Sequence, residues 1–161
     1  MRDLTFRYRA EESLIFDEDC HYYLDIPVLC DLDYYLNRKV LFLLDTGAYI
    51  TVISKATAMR LEFEKLPFLV ESFPLTGIAG SCDASLKEIP GMVVGGRLLK
   101  GVKVAIPHED TKYNILGMNV LDHFSFLVDA ENNKIYFNDN SRYKMPDELK
   151  SAAVLTISDM E

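Results

Sequence analysis

A chain of 161 residues, 49% of them hydrophobic, is long enough for one domain around one core. Its net charge of −8 leaves no basic face for nucleic acid or an anionic membrane surface, so neither is expected as a partner. No apolar run reaches the ~20 residues of a membrane span, and the opening MRDLTFRYRAEES lacks the apolar centre of a secretion signal, which points to the cytoplasm.

Cys20, Cys30 and Cys82 cannot all pair with one another, and their spacing with His21, His108 and His123 fits no zinc pattern. They read as reduced packing thiols, the histidines as surface or half-buried residues, and neither metal nor cofactor is expected. The acidic run from Glu11-Glu12 to Asp19 reads as a solvated loop.

In chain order, His21 to Leu32 reads as a strand, Asn37-Arg38 as a turn, and Lys39 to Leu44 as the next strand. Ser54 is placed to cap a short helix, Lys55 to Glu64, with Ala56, Met59, Leu61 and Phe63 on its apolar face. Pro67 and Pro74 make Leu66 to Leu75 extended, and Gly77-Ile78-Ala79-Gly80 marks a turn. Apolar arms around Gly95-Gly96 form a hairpin signature, Met92 to Leu99, with a further strand at Val102 to Ile106. Ile115-Leu116-Gly117 leads into a helical stretch, Asn119 to Phe124. Phe126 to Asp129 and Lys134 to Phe137 make a last hairpin across Glu131-Asn132-Asn133. In the tail, Pro146 to Ala152 suits a helical turn and Val154 to Ile157 a strand. Many short strands with one or two short helices predict a mostly-β barrel or sandwich in a single domain, 1–161, with its core at about 21–138.

The chemistry concentrates in Leu41 to Ser54. A run of four apolar residues, Leu41 to Leu44, drives into Asp45, then Thr46 and Gly47, before apolar character resumes. A carboxylate at the end of a buried strand needs hydrogen bonds, and glycine lets backbone N–H groups approach it closely. The Thr46 hydroxyl is suited to bond to backbone across the turn. The tripeptide alone is a common turn; its apolar flanks make it distinctive.

Leu43-Leu44-Asp45-Thr46-Gly47-Ala48, continuing Thr51-Val52-Ile53, resembles the active-site strand of the retropepsins, the retroviral-type aspartic proteases. Ile115-Leu116-Gly117-Met118-Asn119-Val120-Leu121, then Phe124 and the hairpin to Phe137, is similar to the family's second apolar-Gly turn, helix and closing strands. Thr76-Gly77-Ile78-Ala79-Gly80 falls between them, where the family has its flap.

The resemblance implies a closed acid-protease-type β-barrel, one half of a pepsin-like bilobal architecture, that pairs as a homodimer. Each copy then lends one catalytic Asp45, because the chain holds a single apolar-Asp-Thr-Gly sequence. The implied reaction is hydrolysis of an extended polypeptide by water. Thr46 would lock the two loops across the dimer axis, Gly47 and Ala48 would line the cleft floor, and Gly77 to Gly80 would close over the substrate. Asn119 departs from the pattern, since retroviral members carry an arginine in the pair after this glycine, and the salt bridges built on it are not expected. The terminal segments 1–20 and 139–161 have no clear counterpart and are expected to be dimer-forming or peripheral, with Val154 to Ile157 a candidate interface strand. Two other readings compete: a catalytically weak or inactive peptide-binding or dimerisation module on the same fold, and an unrelated small barrel with an incidental Asp-Thr-Gly.

Overall fold

The computed structural model describes residues 8–31, 37–77 and 80–139. Two strands precede the expected core: β1, Ala10–Ser13, and β2, Ile15–Phe16. Then come β3, Tyr22–Leu29, and β4, Asn37–Leu44, an antiparallel pair whose residues alternate in burial. Val40 and Phe42 point into the core, while Leu41 between them is exposed, as a period of two requires.

β5, Thr51–Val52, leads to helix α1, Lys55–Arg60. The arm β6, Val70–Gly77, pairs with the long strand β7, Gly80–Val94, which turns into β8, Arg97–Pro107. β9, Asn114–Leu116, precedes the single-turn helix α2, Met118–Leu121, and the hairpin β10, Phe124–Asp129, and β11, Lys134–Asp139.

The larger sheet runs β2-β3-β4-β9-β5-β8-β7-β6, and β3 also pairs with β7. That extra pairing closes β3, β4, β9, β5, β8 and β7 into a six-stranded barrel, and β6 hangs outside the ring. A three-stranded sheet, β1-β11-β10, covers one end and adds Phe124, Ile135 and Phe137 to the core around Phe42, Ile26, Ile89 and Leu116. The expected mostly-β barrel with two short helices is what the chain forms.

Ser54 caps α1 as expected, accepting a hydrogen bond from Thr57 N. The Gly95-Gly96 turn carries φ of 58° and 70°, the left-handed pair that a tight hairpin needs.

Several local expectations are corrected. Asn37 and Arg38 are strand residues opposite Leu29 and Val28 rather than a turn, because the β3–β4 ladder continues to its end. β3 itself stops at Leu29, short of Leu32. α1 ends at Arg60 because Glu62 adopts φ 62°, after which Phe63–Lys65 form a separate 3-10 turn. Leu61 and Phe63 are buried, but Ala56 and Met59 face outward. Val102 to Ile106 is no separate strand but the continuation of the hairpin arm β8. α2 ends at Leu121, and Phe124 already belongs to β10.

The acidic run is not all loop, since Glu11 and Glu12 lie in β1 and pair with Tyr136 and Ile135. All three cysteines are free, but Cys20 and Cys82 are exposed, and Cys30 alone packs against the core. Residues 146–152 and 154–157, read as a helical turn and a strand, lie outside the described residues.

Candidate active site

Asp45 is the residue after β4, and its backbone N–H donates to Leu116 O at 3.2 Å. That bond exists because β4 and β9 run parallel, with Leu43 beside Ile115 and Leu44 beside Leu116. The two apolar-Gly segments of the sequence thus lie side by side. Ile115-Leu116-Gly117 is the inner neighbour of the Asp45 strand.

Beyond Leu44 the chain turns tightly. Gly47 N donates to Asp45 Oδ1 at 2.9 Å, and Ala48 N to Asp45 O at 3.3 Å. A Cβ on Gly47 would sit only 3.2 Å from Asp45 Oδ1, so the missing side chain is what lets the backbone donor approach the carboxylate. Asp45 is half-buried, while Thr46 and Gly47 are exposed at the tip.

Three further residues, not singled out as site residues from the sequence, anchor the segment that follows this turn, residues 49–54. Thr51 is fully buried, and both its N–H and its hydroxyl donate to Asn119 Oδ1 at 2.8 Å. The same hydroxyl accepts from Gly117 N at 3.1 Å. Asn119 in turn donates from Nδ2 to Lys103 O and from its backbone N to Tyr49 O. Asn114 supplies the third tie, accepting from Ser54 N at 2.8 Å. A threonine inside the apolar run Ile50 to Ile53 was the available signal, because a buried hydroxyl requires partners.

Gly117 is the contact point between the loops. A Cβ there would lie 2.5 Å from Ile50 C and O, so only glycine allows the backbones to approach this closely.

Above Asp45, the β6–β7 hairpin leaves a groove of about 660 Å³. Asp45, Gly47 and Ala48 line one side, Tyr49, Ile50, Val52 and Ile115 extend it, and Leu75, Thr76, Gly77, Gly80, Ser81 and Cys82 come from the hairpin. Gly77 pairs with Gly80 across the hairpin end. Ile78 and Ala79 lie outside the described residues. Among the described residues of this lining, Asp45 is the one carboxylate, and no Lys, Arg or His is present.

Of the groups suited to a metal, Asp17, Asp19 and His21 converge to within 4.8 Å. They do not line the groove, and Asp17 is already engaged by Tyr23 Oη and by the N–H groups of Asp19 and His21. The Tyr23 hydroxyl, first among these, holds the Asp17 carboxyl below its ordinary range. A second hollow, about 300 Å³, contains buried Lys87, whose ammonium donates to Phe63 O and Glu64 O.

The six-stranded closed barrel is the fold of the retropepsin-like aspartic proteases. A retropepsin-like aspartic protease from Rickettsia conorii superposes with a TM-score of 0.58 at 24% identity, covering 80% of this chain and 98% of that one. The EIAV protease in complex with the inhibitor HBY-793 does so with a TM-score of 0.50 at 19% identity, covering 67% of this chain and 91% of that one. No curated protein matches the chain in sequence. Residues 36–123 match the family described as gag-polyprotein putative aspartyl protease, and the chain belongs to that family. Among the described residues, no helix is long and apolar enough to cross a membrane.

Proposed function

We propose that the chain is one half of a homodimeric aspartic endopeptidase that hydrolyses peptide bonds in an extended polypeptide. The observation that carries this reading is the Asp45 carboxylate, held by Gly47 N on the wall of a groove roofed by a β-hairpin. Two such carboxylates brought together across a twofold axis cannot both ionise, so one proton is shared between them. The ionised partner takes a proton from water, and the protonated partner donates to the scissile carbonyl oxygen. The resulting diol collapses once a proton reaches the amide nitrogen, and the C–N bond breaks.

In this reading Thr46, exposed at the tip of the turn, meets its copy across the axis. Gly47 and Ala48 form the floor, and Gly77, Ile78, Ala79 and Gly80 close over the substrate and exclude water. Ile115, Leu116 and Gly117 keep the Asp45 strand in place. Residues 1–161 act as one domain in the cytoplasm, with the terminal segments 1–20 and 139–161 at the contact between copies or peripheral to it.

The test is cleavage of a peptide pool at about pH 4–6 by wild type and by Asp45→Asn, with the oligomeric state of both measured. Wild type is expected to cleave, and the variant to remain dimeric and inactive. Cleavage that survives Asp45→Asn removes the assignment. A wild type that binds peptides as a dimer yet never cuts them makes the chain a binding module.

A further inference from the structure

Tyr49 follows the Asp45 turn directly, and its side chain is 67% exposed while lining the groove. Single exposed aromatics are ordinary on a surface, as Phe16 and Phe68 are here, but this ring stands inside the groove, four residues after Asp45. Its position is fixed from behind, because Asn119 N donates to Tyr49 O at 3.1 Å and the next residues are held through Thr51. A ring presented from a fixed backbone loses little freedom on contact.

The surroundings decide what contacts it. Among the described residues that line the groove there is no Lys, Arg or His, Asp45 is the one carboxylate, and the whole chain carries −8. Among the described residues no cation lies over the Tyr49 ring, whereas Lys112 already covers Tyr113 at 5.1 Å. An acidic side chain entering this groove meets only like charge. A neutral apolar one gains area but leaves the negative face of the ring unused. A guanidinium or ammonium gains both the ring face and the net acidic field.

We propose that Tyr49 is a specificity-determining residue that selects a polypeptide carrying a basic side chain near the bond to be cut, with that side chain lying over the Tyr49 ring. This rests on the protease reading for the cut itself, but not for the binding.

The experiment uses the full chain and a peptide that wild type cleaves, with Arg, Leu and Glu placed in turn at each position flanking the cut. One position is expected where kcat/KM for Arg exceeds that for Leu by about 3- to 30-fold, with Glu lowest. Tyr49→Phe keeps the Arg-to-Leu ratio, and Tyr49→Leu brings it close to one. A ratio unchanged in Tyr49→Leu, no position favouring Arg, or loss of the dimer in Tyr49→Leu overturns the proposal. The last result would make Tyr49 an interface residue.

Binding of the same peptides to Asp45→Asn, read by fluorescence anisotropy, separates the two readings. Tyr49-dependent preference for the Arg peptide there upholds the inference even if wild type proves unable to cut. Equal binding of all three peptides overturns it even if wild type cuts well.

Discussion

Asn119 Oδ1 accepts two hydrogen bonds from Thr51, one from its N–H and one from its hydroxyl, each 2.8 Å long. With Gly117 N donating to the same hydroxyl, Thr51 joins its own segment to the 117–119 segment through two oxygens, its Oγ1 and Asn119 Oδ1. A neutral amide therefore ties the two loops together here, where retroviral relatives are expected to use an arginine's ion pairs.

Thr51→Val keeps the shape but removes the hydroxyl, leaving Gly117 N–H without its acceptor. It is expected to destabilise the chain by about 2 kcal/mol, and Thr51→Ser to recover most of that. Urea unfolding of the three proteins checks this. An unchanged midpoint in Thr51→Val would show that the hydroxyl carries no weight.

Gly117→Ala forces a methyl to within 2.5 Å of the Ile50 carbonyl, a backbone contact that no side-chain rotation relieves. The expected loss is about 3–5 kcal/mol. Because Gly117 borders the Asp45 strand, peptide binding is expected to fall as well. Thermal unfolding and anisotropy report the two effects separately.

The paired turn glycines differ sharply. Both have positive φ, so alanine at either is strained by about 1–2 kcal/mol. At Gly95 the new methyl also meets Phe137 Cγ at 2.8 Å, and Phe137 is fully buried, while at Gly96 the nearest atom is Ala10 Cβ at 3.7 Å. Gly95→Ala is expected to unfold at a clearly lower temperature than Gly96→Ala. Equal melting temperatures would mean that the Phe137 contact relaxes freely.

Burial lifts the Glu12 carboxyl above its ordinary value, with the Gly95 N–H opposing that rise. The folded chain then keeps a proton that the unfolded chain has released. The associated stability is fully present below the ordinary carboxyl range and is lost as pH rises through the folded-state value. Glu12→Gln is expected to raise the melting temperature by about 1–3 °C near pH 7 and to give no gain near pH 4. A gain that is the same at both values would trace to something other than this proton.

Which parts of this could be read from residues alone follows from the range of the interactions. The Asp45 turn was legible because its chemistry is local: an apolar run, a carboxylate, and a glycine two residues later that donates to it. The Gly95-Gly96 hairpin was legible for the same reason. The Thr51–Asn119 link spans 68 residues and depends on β5 lying against β9, Val52 opposite Ile115, which no local pattern encodes. The end of α1 was missed because apolar spacing continues through Leu61 and Phe63 while the backbone turns left-handed at Glu62. β1 was missed because Glu11 and Glu12 sit at the sheet's edge, where charge is tolerated and hides the strand.

The barrel closes through β3 and β7, so β6 contributes nothing to the ring. Its outer arm can be lengthened, trimmed or exchanged for that of a relative without breaking any of the closing ladders. Under the proposed reading, β6 supplies one wall of the groove through Leu75, Thr76 and Gly77 while standing outside the closing ladders. That makes residues 70–77 a place to graft new selectivity beside Tyr49, provided the packing of Phe73 and Leu75 on Val52, Ala84 and Ala105 is kept.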